Sequence, residues 1–231
     1  MFDLSGMTAL VTGASGGIGS AIARALAGHG ARVAVSGSNE EKLEAFRASL
    51  GGDHVAVAAN LADAAAVDAL VPRAVEALGG KLDILVNNAG VTRDNLTMRM
   101  KDEEWADVIR INLEAAFRLS RAALKPMMRA KYGRIVSVTS VVGATGNPGQ
   151  ANYAASKAGL VGMSKAIASR TVVIFSAASS GISTPNSSSN AMTSSTMSRL
   201  SAPRSSMKLA SSVTFSASTP RCSTTIFFTR S

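Results

Sequence analysis

The chain has 231 residues, of which 46% are hydrophobic and 17% charged, a balance that suits one globular domain with a sizeable core. No apolar run reaches the roughly 18 residues of a membrane span and no secretory signal is visible, so we expect a soluble, cytoplasmic protein. The net charge of +9 reflects a second half without acids after Glu114 rather than a run of bases, so it does not predict nucleic-acid binding.

Strand-like and helix-like runs alternate along the first 170 residues. Apolar, strand-like runs occupy 8–13, 32–37, 54–60, 82–90 and 133–140. Helical periodicity occupies 18–30, 40–50, 63–79 and 102–128, the last being one long helix or a closely spaced pair. Pro72 predicts a break or kink in the third helix. This alternation predicts an α/β fold, a doubly wound parallel sheet in three α/β/α layers.

The composition changes abruptly after Arg170. Residues 171–231 are rich in Ser and Thr and contain no acid. We therefore predict a domain over 1–170 and an atypical tail over 171–231 that is disordered or arises from a shifted reading frame. A genuine divergent tail is the alternative. The run TVVIF (171–175) could form a sixth strand, but no clear pattern for the C-terminal strands follows.

A glycine-rich segment, TGASGGIG (12–19), joins the first predicted strand to the first predicted helix. Glycine lets the main chain turn sharply and approach a bound group, and a helix N-terminus offers free N–H groups to a diphosphate. At the start of a βαβ unit this segment predicts a dinucleotide site, with a purely structural turn as the alternative. The expected contacts are Gly13, Ser15, Gly17, Ile18 and Gly19.

The end of the second strand bears on the choice of cofactor. A carboxylate there would bond the adenosine ribose 2′-hydroxyl of NAD and repel the 2′-phosphate of NADP. The chain instead has Ser38 and Asn39, with no acid until Glu40. These neutral residues favour NADP(H) over NAD(H).

Several motifs in order resemble the short-chain dehydrogenase/reductase family and cover about residues 1–166. The glycine motif spans 12–19, the motif NNAG spans 87–90, and a tyrosine and a lysine four apart occur in NYAASKAGL (152–160). The resemblance implies a Rossmann-like fold and four catalytic residues: Asn112, Ser140, Tyr153 and Lys157. Within the family, the stretches 87–105 and 140–165 are most similar to beta-ketoacyl carrier-protein reductases.

The implied chemistry gives the tyrosine and lysine distinct roles. Residues four apart share one face of a helix, so Tyr153 and Lys157 would present a phenol beside an ammonium. A free tyrosine has a pKa near 10, which a neighbouring ammonium would lower. By resemblance, Tyr153 is the general acid, Lys157 tunes it and bonds the nicotinamide ribose, and Ser140 holds the carbonyl oxygen. Asn112 would support a water that resupplies protons.

The resemblance also implies further cofactor contacts, each with a structural alternative. Asn88 could simply build a turn, and Asn112 could be a helix residue that is satisfied locally. Asn60 stands where many relatives carry aspartate. No metal site is expected. The complete set of implied contacts beyond the glycine loop is Ser38, Asn39, Asn60, Leu61, Asn88, Ala89, Gly90, Tyr153 and Lys157.

The resemblance implies NADPH-dependent reduction of a 3-oxoacyl group carried on acyl carrier protein, in fatty-acid biosynthesis, by a homotetramer. Carrier proteins are acidic, so the bases Arg129, Lys131 and Arg134 are candidates for docking beside the site entrance, with a solvated turn as the alternative. Two other functions stay open. One is reduction of acetoacetyl-CoA or another ketone or alcohol substrate, and the other is a catalytically impaired nucleotide-binding chain.

Overall fold

The structure is a computed structural model that describes residues 3–170 and 223–229. Its six strands form one parallel sheet in the order β3-β2-β1-β4-β5-β6. The strands are β1 (Thr8–Thr12), β2 (Arg32–Ser36), β3 (Val55–Ala56), β4 (Ile84–Asn87), β5 (Arg134–Ser140) and β6 (Ser223–Thr229). The predicted α/β architecture is confirmed.

Seven α-helices lie in the described part of the chain. They are α1 (Gly17–Gly28), α2 (Glu40–Leu50), α3 (Ala64–Ala77), α4 (Asp102–Ile109), α5 (Ala115–Arg129), α6 (Val142–Thr145) and α7 (Ala151–Arg170). A π-helical turn over Arg110–Glu114 joins α4 to α5 directly, so the pattern over 102–128 is a closely spaced pair. No helix among these residues is both long and apolar enough to cross a bilayer.

The sheet separates two apolar cores, because successive side chains on a strand point to opposite faces. Leu10 of β1 belongs to the core covered by α3 and α5, where it joins Leu70 and Leu119. The next residue, Val11, belongs to the core covered by α1 and α2, with Leu26 and Leu43. Helices on both faces give the predicted three layers.

The sequence pattern over-extends two strands, and one helix continues through a proline. β4 ends at Asn87 because the next residues leave the sheet to bond Thr12. β3 is only two residues long. Beyond it, the N–H groups of Val57 and Ala59 still donate to the carbonyls of Val35 in β2 and Gly37 just after β2. Pro72 does not break α3, which runs through it and packs the buried Leu70 and Val71 on the core; a kink at Pro72 stays a prediction.

The strand beside β5 comes from the far C-terminal part of the chain. β6 pairs with β5 in parallel over its whole length, from Ser223 opposite Arg134 to Thr229 opposite Ser140. The run 171–175, which was the candidate sixth strand, lies outside the described residues. The β-branched and aromatic residues of STTIFFT (223–229) are typical of a strand, a signal hidden by the surrounding Ser and Thr.

Candidate active site

The sequence motifs converge at the carboxyl edge of the sheet. The glycine loop follows β1, the NNAG motif follows β4, and Ser140 ends β5. The strands are parallel, so all three ends lie on the same edge. The strand order reverses between β1 and β4, which is the crevice where open α/β sheets bind their ligands.

Two glycines of the loop are required by close packing. Gly13 has φ +63°, and a Cβ there would lie 2.9 Å from the Cα of Ala89. A Cβ on Gly19 would lie 2.1 Å from the carbonyl oxygen of Gly13 and 2.6 Å from Nδ2 of Asn88. Only glycine therefore lets α1 start so close to the loop.

The start of α1 is open to a ligand. No side chain caps the helix at Gly16, so its first N–H groups point to the crevice without a side-chain acceptor. Ser15, Gly17 and Ile18 are exposed, and a Cβ on Gly17 would meet nothing within 4 Å. Free N–H groups, positive helix-end potential and clear space fit the diphosphate of a dinucleotide.

Thr12 and the NNAG motif form a hydrogen-bonded clasp between β1 and β4. The hydroxyl of Thr12 donates to the carbonyl of Val86 at 3.1 Å and accepts from the N–H groups of Asn88 and Ala89, each at 3.1 Å. Nδ2 of Asn88 donates back to the carbonyl of Thr12 at 2.9 Å. The clasp holds the glycine loop in place, so Asn88 supports the crevice through the main chain.

The residues expected to meet the adenosine end lie after β2 and β3. A Cβ on Gly37 would lie 3.1 Å from Oγ of Ser15, so the end of β2 borders the glycine loop. Ser38 is exposed there, whereas Asn39 uses its side-chain oxygen to cap α2. Asn60 accepts from the N–H of Ala62 at 3.0 Å in a local turn, and Leu61 beside it is half-buried.

Lys157 is buried close to the ring of Tyr153. Its side chain is 4% exposed, and Nζ donates to the carbonyl of Val138 at 2.8 Å. Nζ lies 5.6 Å from the centre of the Tyr153 ring. Burial lowers the pKa of Lys157 to about 8, so its ammonium loses a proton more easily than that of an exposed lysine.

Tyr153 is also buried, at 9% exposure, and this changes its acidity. Burial raises its pKa above the usual value, hydrogen bonding with Ser140 opposes the rise, and the charge of Asp94 adds to it. The predicted lowering of the Tyr153 pKa by Lys157 is therefore wrong. Desolvation of the phenolate outweighs the other effects, and the ammonium is bonded to a main-chain carbonyl instead.

Asn112 lies in the π-helical turn, a feature often found at functional sites. Its Oδ1 accepts from the N–H of Val91 at 2.8 Å, and its Nδ2 donates to the carbonyl of Val91 at 2.9 Å and to Ser156 at 3.2 Å. A Cβ on Gly90 would lie 3.2 Å from Oδ1 of Asn112 and 3.6 Å from Nζ of Lys157. Asn112 thus flanks Lys157 and is satisfied locally; its support of a water stays a prediction.

The sequence analysis did not identify three polar residues near the site: Asp94, Gln150 and Asn152. Gln150 donates to Asp94 at 2.9 Å, and the fully buried Asn152 donates to the carbonyl of Arg93 at 2.9 Å. These contacts join the loop after β4 to the start of α7. The sequence places these residues close to the NNAG motif and to Tyr153, which could have marked them as site residues. Their hydrogen bonds could not be predicted, because the partners lie more than fifty residues apart in the sequence.

The basic residues that were predicted to dock a carrier protein lie away from Ser140 and the residues around it. Arg129 ends α5, Lys131 follows it, and Arg134 begins β5, whereas Ser140 ends β5. Six residue steps along β5, at roughly 3.3 Å each, place Arg134 on the order of 20 Å from Ser140, and the other two bases lie before Arg134 at the same, opposite edge of the sheet. The expectation that these bases border the entrance of this chain's own site is wrong, since strand direction separates them.

The fold and the site are those of a dinucleotide-binding oxidoreductase. The family model for short chain dehydrogenases matches residues 7–192. The chain belongs to this short-chain dehydrogenase family, as the sequence motifs predicted. The family match extends past the predicted limit near 166, whereas the relatives described next align over 166–168 residues.

The chain is 55% identical to nodulation protein G of a Rhizobium strain and 55% identical to a 3-oxoacyl-[acyl-carrier-protein] reductase of Rickettsia bellii, each over 168 residues. Each alignment covers 73% of this chain and 68% of the relative. The reductase of Escherichia coli is 51% identical over 166 residues, which are 72% of this chain and 68% of that protein.

Among solved structures, the fold is similar to a protein described as a short-chain alcohol dehydrogenase from Sinorhizobium meliloti. The TM-score is 0.70 at 42% identity, and the match covers 73% of this chain and 68% of the other. In the described residues, no group of three or more His, Cys, Asp or Glu side chains could hold a metal ion.

Proposed function

We propose that the chain reduces 3-oxoacyl groups on acyl carrier protein to 3-hydroxyacyl groups with NADPH, in fatty-acid biosynthesis. The observation that carries the proposal is the cluster of Ser140, Tyr153 and Lys157 beside an open glycine loop. It occurs in a chain about half identical to relatives named as 3-oxoacyl-[acyl-carrier-protein] reductases. The partner is then an acidic carrier protein, and we place the reaction in the cytoplasm and in a homotetramer.

The residues of the site fit a nicotinamide cofactor, which supplies a hydride when bound. The glycine loop and the first turn of α1 would bind its diphosphate, and Lys157 and Tyr153 would bind the nicotinamide ribose. Ser38 and Asn39 carry no charge to repel a 2′-phosphate, which supports NADPH. We assign Asn60, Leu61, Asn88, Ala89 and Gly90 to the walls of the same crevice.

Proton delivery falls to the residues of the chain itself. The hydroxyl of Ser140 would donate to the ketone oxygen and stabilise the negative charge that develops there. Tyr153 would then transfer its phenolic proton to that oxygen. With a pKa above its usual value, Tyr153 holds its proton at neutral pH, as a general acid must before the reduction step.

The proposal is tested by turnover of acetoacetyl thioesters with NADPH. We expect the carrier-protein thioester to be reduced with a higher kcat/KM than the CoA thioester or a free ketone. Tyr153→Phe should lower kcat by about 10²-fold or more, the usual effect of losing a general acid, and should leave the Kd for NADPH unchanged.

Tyr132→Phe is the matched control, because it removes the other tyrosine of the chain, whose hydroxyl contacts Met7 instead of the site. Near-parent turnover in Tyr153→Phe would overturn the assigned acid. A preference for CoA or free ketones over the carrier protein would replace the proposed substrate by one of the other ketone substrates.

A further inference from the structure

The loop between β4 and α4 is fastened to the segment before the catalytic tyrosine at three consecutive residues. The carbonyl of Arg93 accepts from Asn152 at 2.9 Å, the carboxylate of Asp94 accepts from Gln150 at 2.9 Å, and the N–H of Asn95 donates to the carbonyl of Gly149 at 2.8 Å. Residues 93–95 are therefore held in register against 149–152, directly before Tyr153.

Gln150 is the centre of this connection. Its side chain is buried at 7% exposure, with its Nε2 on Asp94 and its Oε1 accepting from Nδ2 of Asn147 at 3.0 Å. Both ends of the amide are thus engaged, which fixes its orientation. Asp94 lies at the surface, so the pair joins a buried amide to an exposed carboxylate.

Apolar and charged residues of several elements surround Tyr153. Val91, Val108 and Val142 pack around Tyr153 from the loop, α4 and α6. The loop carries Arg93, Asp94, Arg99 and Lys101, α4 carries Asp102, Glu103, Glu104 and Asp107, and Lys157 lies one turn after Tyr153 in α7. Glu104 is engaged by Asn95 and by the N–H of Lys101, and the guanidinium of Arg93 turns back to the carbonyl of Thr92.

Among these groups, Asp94 acts on the acidity of Tyr153. Burial is the largest cause of the raised pKa of Tyr153, hydrogen bonding with Ser140 lowers it, and the negative charge of Asp94 raises it further. A carboxylate held at a fixed place beside a phenol disfavours the phenolate. The Gln150 bond fixes that place.

We propose that Asp94 and Gln150 form a positioning pair that fastens the loop between β4 and α4 to the segment before the catalytic tyrosine and holds one carboxylate at a fixed place against that segment. The proposal rests on the proposed function only for the use of the Tyr153 proton in ketone reduction. The place of the Asp94 carboxylate and its effect on the pKa of Tyr153 do not depend on a substrate.

The substrate-free part is tested by ultraviolet titration of the phenol in a Tyr132→Phe background, where Tyr153 is the sole tyrosine. Asp94→Asn should move the Tyr153 midpoint to lower pH, and the difference from the parent should shrink at high salt because Asp94 is exposed. Asp102→Asn removes an exposed carboxylate at the start of α4 and is the control, with an unchanged midpoint expected. An unchanged midpoint in Asp94→Asn would overturn the charge role.

The fastening is tested by exchanging donor and acceptor. Gln150→Glu sets two carboxylates against each other and should lower kcat/KM by about tenfold to a hundredfold. Adding Asp94→Asn restores one amide donor and one carboxylate acceptor, so the double variant should recover to within a few-fold of Asp94→Asn alone. Lack of recovery in a double variant with a parent-like melting curve would overturn the pairing. If the parent does not reduce the carrier-protein thioester but Asp94→Asn still shifts the Tyr153 midpoint, the proposed function is wrong and the positioning pair stands.

Discussion

Nζ of Lys157 donates to the carbonyl of Val138, 2.8 Å away on the neighbouring strand. This bond ties the middle of α7 to β5 and places a charged group in a nearly solvent-free environment. The ammonium keeps only part of its hydration there, which is why burial lowers its pKa to about 8. Lys157 is therefore a source of pH-dependent stability.

Lys157→Met should change the way stability depends on pH. The folded-state pKa of about 8 lies below the roughly 10.4 of an unfolded lysine, so the unfolded chain binds more protons between these values. The contribution of Lys157 to the free energy of unfolding therefore rises with pH across that window and is lost as pH falls through about 8.

Thermal melts at several pH values measure this difference. The Tm of Lys157→Met relative to the parent should be highest at about pH 7 and should fall as pH approaches about 10. Lys165→Met is the matched control, since it removes an exposed lysine of the same helix. A parent-minus-variant difference that is flat with pH would show that burial does not perturb Lys157.

Gly17→Ala and Gly19→Ala should separate cofactor binding from folding. A methyl group on Gly19 would overlap the carbonyl of Gly13 at 2.1 Å, so this variant should lose about 1–3 kcal/mol or more of stability. A methyl group on Gly17 meets nothing within 4 Å and replaces glycine in a helix, so stability should stay or rise slightly.

The same Gly17 methyl group would stand in the space proposed for the diphosphate. Gly17→Ala should therefore weaken NADPH binding by about tenfold or more while its Tm stays at or above that of the parent. Fluorescence titration and thermal melts of the two variants provide the check. Parent-like NADPH affinity in Gly17→Ala would place the diphosphate elsewhere.

Thr12→Val should loosen the clasp between β1 and β4. It preserves shape but leaves the N–H groups of Asn88 and Ala89 without their acceptor, at a cost of about 1–3 kcal/mol. Thr12→Ser keeps the hydroxyl and serves as the control. Denaturant unfolding should rank the parent and Thr12→Ser above Thr12→Val; equal stability of all three would mean that water replaces the hydroxyl.

The sheet and its layers could be predicted from the sequence because each strand and helix has its own pattern of apolar residues. Leu10 and Val11 alternate between two cores, and helical spacing puts Leu70 and Val71 on the sheet. The residue at which a strand ends, by contrast, can depend on a contact with a distant part of the chain. β4 ends at Asn87 because Asn88 finds its partner in Thr12, 76 residues earlier, and no periodicity records that contact.

The proximity of Tyr153 and Lys157 could be predicted from spacing, whereas their acidity could not. Four-residue spacing predicts that Tyr153 and Lys157 share a face, and their 5.6 Å contact agrees. The direction of the tyrosine pKa shift depends on how deeply other elements bury it. The basic turn at Lys131 shows the same limit, since only the direction of β5 reveals which edge of the sheet it occupies.

Ser38→Asp should reverse the cofactor preference. Ser38 is exposed at the end of β2, next to the loop that would bind the diphosphate, and Asn39 must be kept because it caps α2. A carboxylate at position 38 would accept from the ribose 2′-hydroxyl of NADH and repel the 2′-phosphate of NADPH. We expect NADPH binding to weaken by about tenfold to a hundredfold and NADH binding to tighten.

Ser38→Ala separates the charge from the lost hydroxyl, and it should weaken both cofactors slightly without changing their order. Fluorescence titrations with each cofactor at low and high salt measure the effect, and the penalty on NADPH should shrink as salt screens the repulsion. If the parent binds both cofactors equally, or if Ser38→Asp weakens both alike, the end of β2 does not select the cofactor, and the preference for NADPH must be sought elsewhere in the crevice.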